Sequence, residues 1–190
     1  MKTVLGAALE VQRFLSHAGE RFCFIGGIAL QRWGEPRLTR DVDVTLLSPF
    51  GEEGRTADRL LAAFRPRIGD AREFAVRNRV LLIESDGGIA VDIAFGAIPF
   101  EEHCVARSSE WALAPGAILR TCSAEDLVVL KAFASRPQDW LDIESVAIRQ
   151  RSVLDWNLIF EELQPLASVR EVPGLLDRLR QLRDSFSRHD

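Results

Sequence analysis

The sequence predicts an α/β fold of the α+β kind, with a small mixed sheet in its first half and helices alone in its second half. Short apolar segments typical of strands alternate with helical segments up to residue 95. Segments with helical spacing follow from residue 123, and no long linker separates the halves. With 190 residues and 47% hydrophobic side chains, the chain can bury a core of its own. We therefore expect a core over residues 1–120 and a helical extension, packed on it, over residues 121–190.

Hydrophobic spacing predicts each element of the first half in turn. Residues 41–47 read Asp-Val-Asp-Val-Thr-Leu-Leu, which is the period-two alternation of a strand with one acidic and one apolar face. The Ser-Asp-Gly-Gly segment at residues 85–88 predicts a hairpin turn between two apolar runs. The predicted elements are helix 4–16, strand 21–25, helix 28–33, strand 41–47, helix 52–64, strand 79–84 and strand 89–95.

Capping residues mark the helices of the second half. Ser123 is a predicted N-cap, because Glu125 and Asp126 follow it in the first turn, where acidic side chains suit the helix dipole. Pro137 occupies the favoured first position of the next helix. Helices at residues 156–167 and 173–186 complete the chain.

Composition excludes several classes of protein. The net charge of −4, from 24 basic and 28 acidic residues, argues against a protein that coats nucleic acid nonspecifically. No apolar run reaches the roughly 18 residues that a membrane span needs, so we expect neither a membrane-spanning nor a secreted protein. Three scattered cysteines fit a reducing compartment, and we expect the cytoplasm.

Two aspartates in the predicted strand 41–47 are candidates for binding a divalent cation. Asp41 and Asp43 are two residues apart, so both carboxylates project from the same face of a strand. Negative charges held so close repel each other, and a divalent cation between them would relieve the repulsion. On the pair alone, a solvated strand edge or a turn is the plainer explanation, and only the neighbouring segments favour a cation site.

Asp92 and a glycine pair supply that context. Asp92 lies between apolar residues of the predicted strand 89–95, where its carboxylate needs a compensating charge from a metal ion or an arginine. Gly26 and Gly27, between a strand and a helix, would let backbone N–H groups approach a phosphate. Their spacing matches neither the dinucleotide fingerprint GxGxxG nor a Walker A loop.

Taken in order, these features resemble the nucleotidyltransferase superfamily that includes DNA polymerase beta. Within it, residues 22–150 are most similar to the AbiEii-type toxin and minimal nucleotidyltransferase branch. The helical half adds an Asp-Leu-x-x-x-Lys segment and an Arg-x-x-Asp-x-x-Asp segment. Many superfamily members have Gly-Ser where this chain has Gly-Gly, which removes a hydroxyl group. The positions that carry the resemblance are Gly26, Gly27, Arg37, Thr39, Asp41, Asp43, Asp92, Lys131 and Asp139.

The resemblance implies a magnesium-dependent nucleotidyltransferase that moves a nucleoside monophosphate from a nucleoside triphosphate to an acceptor hydroxyl. It implies that Asp41, Asp43 and Asp92 are catalytic and hold two magnesium ions. The acceptor would be an RNA such as a tRNA end, a protein or a small molecule. A toxin of a toxin-antitoxin system would also have an antitoxin partner. The implied nucleotide-binding residues are Gly26, Gly27, Arg37, Thr39, Lys131 and Asp139.

The residues alone leave plainer roles open. Lys131 is either a phosphate contact or a solvated cation at the edge of a buried helical stripe, and Asp139 suits a helix cap. Arg37 and Thr39 also fit a turn or a surface loop. The alternative function is a non-catalytic nucleotide-binding regulator or an antitoxin-like interaction protein, although a regulator need not keep all three aspartates.

Overall fold

The computed structural model of the protein describes residues 3–114, 116–151, 153–170 and 174–187. The chain forms two compact units, the first of residues 1–28 and 38–122 and the second of residues 29–37 and 123–190. The α+β class is confirmed, because the described residues of the first unit form a mixed sheet with helices and those of the second are helical. Within the described stretches no helix is both long and apolar enough to cross a membrane.

A seven-stranded mixed sheet organises the described part of the first unit. Its strands are β1 (Phe22–Phe24), β2 (Asp41–Leu47), β3 (Arg65–Pro66), β4 (Val80–Glu84), β5 (Ala90–Gly96), β6 (Ser109–Ala114) and β7 (Ala117–Thr121). The strand order is β3-β4-β5-β2-β1-β7-β6. Strand β2 lies at the centre, parallel to β5 and antiparallel to β1. Strand β1 is also parallel to β7, while β3–β4, β4–β5 and β6–β7 are antiparallel pairs.

The core of the first unit lies on one face of this sheet. The helices are α1 (Val4–His17), α2 (Gly26–Trp33, which contains the unit boundary), α3 (Glu53–Leu61), α4 (Ala71–Asn78) and α5 (Pro99–Arg107). The alternation predicted for β2 is confirmed, since Val42, Val44 and Leu46 are buried in the core. Apolar residues of α1, α3 and α4 belong to the same cluster. On the other face α5 packs against β1 and β2, and Cys104 Sγ of α5 lies 3.8 Å from Cys23 Sγ of β1.

Several elements of the first unit have no counterpart among the sequence predictions. The spacing left residues 67–78 and 97–122 unassigned, whereas the structure forms α4, α5 and the β6–β7 hairpin there. Strand β6 is exposed along much of its length, so it lacks the apolar run that marks a buried strand. Helix α3 ends three residues before the predicted end, at Leu61, and the chain then turns into β3.

The described residues of the second unit form four further helices, and most of the predicted helix starts are confirmed. The Ser123 side chain accepts a hydrogen bond from the Asp126 N–H at 3.1 Å, as an N-cap does. Pro137 begins the next helix. Pro173, the predicted start of the last helix, lies outside the described residues. The helices are α6 (Ala124–Ala134), α7 (Pro137–Arg149), α8 (Trp156–Arg170) and α9 (Leu175–Ser187).

Candidate active site

Three aspartates of the first unit share the face of the sheet opposite its apolar core. Asp41 and Asp43 alternate with the buried Val42 and Val44 along β2, so both carboxylates project from the other side. Asp92 is the register partner of Asp43 on the parallel neighbour β5. Neighbouring strands are about 4.8 Å apart, so Asp43 and Asp92 occupy adjacent positions on this face, and Asp41 lies two residues away along β2. We call Asp41, Asp43 and Asp92 the acidic face.

Gly26 makes room for this face. An added Cβ at Gly26 would lie 2.8 Å from Asp43 Cγ and 3.0 Å from Asp43 Cβ, closer than side chains pack. Its φ of +56° is also one that residues with a side chain rarely adopt. The sequence predicts a phosphate-binding role for Gly26. The structure shows a second role, which is to leave space for the Asp43 side chain, and residue spacing does not indicate this role.

Gly27 likewise leaves space for the Thr39 side chain. A Cβ there would lie 2.7 Å from Thr39 Cβ. The Thr39 hydroxyl in turn donates to Asp41 Oδ1 and to the Asp41 carbonyl, both at 3.2 Å. The glycine pair therefore sits against two residues of the predicted site, and the carboxylate of Asp41 is held by a neighbouring hydroxyl.

Arg67 forms an ion pair with Asp92 that the sequence analysis missed. Its guanidinium Nη2 donates to Asp92 Oδ1. Burial raises the pKa of Asp92 above its usual value, while the charge of Arg67 counteracts that rise and the Asp41 carboxylate adds to it. No sequence pattern distinguishes Arg67, because all basic residues except Lys2 and Lys131 are arginines.

The acidic face has the donor chemistry of a magnesium site. Carboxylate oxygens are the ligands that magnesium prefers, and the space left by Gly26 accommodates one of them. Among the described residues, however, no three His, Cys, Asp or Glu side chains are gathered closely enough to hold a metal ion. The Asp92 carboxylate accepts from Arg67 instead. The residue types and their shared face thus fit the predicted ion, and Asp92 is the one that would have to turn toward it.

In the second unit, Lys131 is buried rather than solvated. Only 5% of the residue is exposed, which corrects the expectation of a cation at the edge of a buried stripe. Helix α6 is buried on most of its sides, so it has no such edge at this position. Lys131 Nζ lies 3.2 Å from Asp139 Oδ1 and 2.6 Å from Asp142 Oδ2. A lysine at this depth is tolerated because two carboxylates surround its ammonium group.

Arg37 and Arg136 complete what we call the Lys131 cluster, which consists of these two arginines with Lys131, Asp139 and Asp142. Arg37 donates Nε and Nη2 to the two oxygens of Asp142, both at 3.0 Å, and 40% of its side chain stays exposed. Arg136 Nε donates to Asp139 Oδ2 at 2.7 Å, and its backbone N–H donates to the same oxygen at 3.2 Å, which caps α7.

The two aspartates of the Lys131 cluster are held ionised. Burial opposes ionisation of Asp142, but hydrogen bonds from Arg37, Lys131 and Gln138 outweigh it and lower its pKa below the usual value. Burial likewise opposes ionisation of Asp139, and its bonds to Arg136 and Lys131 lower its pKa. Of these two aspartates only Asp139 is a predicted site residue, although their spacing of three indicates that both lie on one face of a helix.

A family model described as "Nucleotidyl transferase AbiEii toxin, Type IV TA system" matches residues 8–151. This range is most of the chain and includes both the acidic face and the Lys131 cluster. The chain belongs to the AbiEii nucleotidyltransferase family. The recognition made from the sequence is therefore confirmed, and with it the assignment of the chain to the transferases. No curated protein matches the sequence significantly.

Solved structures confirm that this AbiEii family member has a nucleotidyltransferase fold. An antigenic nucleotidyltransferase-like protein from Paracoccidioides brasiliensis is 17% identical, with a TM-score of 0.56, and the match covers 93% of this chain and 92% of that one. The antibiotic-resistance factor ANT(2'')-Ia, in its solution structure, is also 17% identical, with a TM-score of 0.50 and coverage of 90% and 93%. At this identity the likeness concerns the fold alone.

Proposed function

We propose that the chain transfers a nucleoside monophosphate from a nucleoside triphosphate to an acceptor hydroxyl. In this reaction the hydroxyl oxygen attacks the α-phosphorus, a new phosphorus–oxygen bond forms, and the bond between the α-phosphorus and the bridging oxygen of the β-phosphate breaks. Pyrophosphate leaves, and the acceptor loses its proton. The observation that carries the proposal is the acidic face, in which Asp41, Asp43 and Asp92 stand side by side on two parallel strands.

We assign the binding of two magnesium ions to the same three carboxylates. Magnesium bound there would supply positive charge to the attacking and leaving oxygens of the transfer. The protein contributes by holding the carboxylate ligands in position. The sheet register sets the spacing of Asp43 and Asp92, and the Thr39 hydroxyl orients Asp41.

Asp92 is the proposed acceptor of the proton that the attacking hydroxyl loses. It lies on β5 beside Asp43 and can take this proton directly or through a water molecule. Gly26 and Gly27 remain the proposed contacts for phosphate, because they lie in the first turn of α2, where backbone N–H groups suit an anion. The nucleotide-binding roles of Arg37, Thr39, Lys131 and Asp139 stay predictions that separate variants must test.

The acceptor is proposed only as a class. An RNA, a protein and a small molecule each present hydroxyl groups that this reaction could modify. The description of the matched family names a toxin of a toxin-antitoxin system. We therefore propose a toxin whose modification of a cellular acceptor stops growth, with an antitoxin that counteracts it.

A labelling experiment tests the function and identifies the acceptor. The protein is incubated with magnesium, each α-³²P-labelled nucleoside triphosphate in turn, and either total cellular RNA or a protein and metabolite extract. We expect label to enter one fraction from one preferred nucleotide. Asp41→Asn should abolish the labelling, whereas Asp86→Asn, at an exposed turn residue outside the acidic face, should leave it unchanged. Nucleotide binding without labelling of any fraction would favour the non-catalytic regulator instead.

A further inference from the structure

The contact between Arg67 and Asp92 gives Arg67 a role toward the acidic face. The backbone places the two residues in line across the sheet, because the Arg67 N–H donates to the Leu82 carbonyl at 3.0 Å and Leu82 is the register partner of Asp92. Continuing across the sheet, Asp92 is the register partner of Asp43. Arg67 therefore approaches the acidic face from the side of β3, and the side-chain ion pair agrees with this backbone arrangement.

Three carboxylates on one face repel one another, and a positive charge nearby reduces this repulsion. Two of them occupy neighbouring positions on adjacent strands, and burial makes ionisation of Asp92 less favourable still. Arg67 supplies one positive charge directly to Asp92, and 30% of its side chain is exposed. In the absence of a cation, the guanidinium is thus the counter-ion that holds the Asp92 carboxylate in place.

A carboxylate that binds a cation must give up or share this contact. Asp92 Oδ1 accepts a hydrogen bond from Arg67, so it cannot at the same time point directly at a cation beside Asp43. A guanidinium charge close to the site also repels an arriving cation. Arg67 therefore orients the Asp92 carboxylate and also opposes binding of a cation to it.

We propose that Arg67 is a positioning residue of the acidic face, which orients Asp92 in the free protein and competes with the divalent cation for its carboxylate. This inference rests on the proposed function, because it takes the acidic face to be a cation site. We therefore expect Arg67 to determine the concentration at which a divalent cation becomes bound by the Asp92 carboxylate.

Binding of Mn²⁺ to the full chain without nucleotide provides the test. Mn²⁺ favours oxygen ligands as magnesium does, and free Mn²⁺ is quantified by its paramagnetic resonance signal. Arg67→Gln should bind Mn²⁺ about 3- to 10-fold more tightly than the parent, the span expected for loss of a partly exposed opposing charge. Arg67→Lys, which keeps the charge, should bind Mn²⁺ like the parent.

Arg65, in β3 just before Arg67, offers a matched control. Its side chain is 78% exposed, and it pairs with Glu84 rather than with the acidic face. Arg65→Gln removes an equal charge close in sequence to Arg67 and should leave Mn²⁺ affinity unchanged. Tightening in Arg67→Gln alone supports the proposal, because a purely structural arginine would weaken the site when removed.

Two other outcomes separate this inference from the proposed function. If the parent binds Mn²⁺ and Asp41→Asn abolishes the binding, while Arg67→Gln binds no more tightly than the parent, the role of Arg67 is overturned and the cation site stands. If neither the parent nor Arg67→Gln binds Mn²⁺, the cation site and the role of Arg67 are both overturned. Thermal unfolding of each variant shows whether a loss of binding is only a loss of fold.

Discussion

Replacement of Gly26 by alanine perturbs the acidic face without removing any of its functional groups. The new methyl group would lie 2.8 Å from Asp43 Cγ and 3.0 Å from Asp43 Cβ. Rotation of the Asp43 side chain would move Cγ away but would leave Cβ in place. Relief therefore requires a shift of β2 or of the start of α2, and either shift moves Asp43 relative to Asp92.

Two contributions set the expected loss of stability. The φ of +56° costs an alanine about 1–2 kcal/mol relative to glycine. Overpacking against a fixed neighbour typically adds about 1–3 kcal/mol. Gly88 separates the two contributions, since its φ is +73° but a Cβ there would meet nothing within 4 Å. Gly88→Ala should therefore show the backbone cost alone, and Gly26→Ala should show both.

Urea unfolding and the labelling assay measure the two consequences. We expect Gly26→Ala to be less stable than Gly88→Ala by about 1–3 kcal/mol. We also expect it to lose most of its transfer activity, whereas Gly88→Ala should keep it. Equal stabilities for the two variants, together with full activity for Gly26→Ala, would refute the close approach of Gly26 to Asp43.

Three further predictions concern individual side chains. Asp41→Asn should abolish transfer in the labelling assay. In urea unfolding it should leave the free energy of unfolding within about 0.5 kcal/mol of the parent or raise it, because the substitution relieves like-charge repulsion. A large destabilisation would show that Asp41 has a structural role. Lys131→Ala should lower the free energy of unfolding in urea by about 3 kcal/mol, because it leaves the buried Asp139 and Asp142 with one cation fewer. A change under about 0.5 kcal/mol would contradict the burial of this ion pair. The lowered pKa of Asp142 means that its ion pairs stabilise the fold above about pH 4 and lose this effect as the pH falls through the folded-state pKa. Unfolding between pH 7 and pH 3 should therefore show a flatter acid limb for Asp142→Asn, and an unchanged slope would contradict the assignment.

Local patterns were sufficient to predict the elements that carry the acidic face. The alternation of residues 41–47 predicted β2, and the Ser-Asp-Gly-Gly turn predicted the pairing of β4 with β5. Both signals depend only on neighbours in the sequence, because a strand alternates its faces and a tight turn needs particular residues. Family resemblance then identified Asp92 as the third aspartate, and the register of β5 against β2 places it beside Asp43.

Contacts between distant residues were beyond such patterns. Arg67 and Asp92 are 25 positions apart, and Arg37 and Asp142 are 105 apart, so no spacing rule could pair them. The burial of Lys131 was missed for a related reason. A stripe of apolar residues predicts one buried helix face, but α6 is surrounded on most sides, and only the packed structure determines that.

Nucleotide binding in the presence and absence of a divalent cation tests the central claim that the acidic face is a cation-dependent nucleotide site. Isothermal titration with a nucleoside triphosphate analogue that resists transfer is performed in magnesium and again in EDTA. We expect measurable affinity in magnesium and at least about tenfold weaker binding in EDTA, because Asp41, Asp43 and Asp92 would otherwise repel the triphosphate. Asp43→Asn in magnesium should likewise bind more weakly than the parent. Equal affinity of the parent in magnesium and in EDTA would contradict the claim.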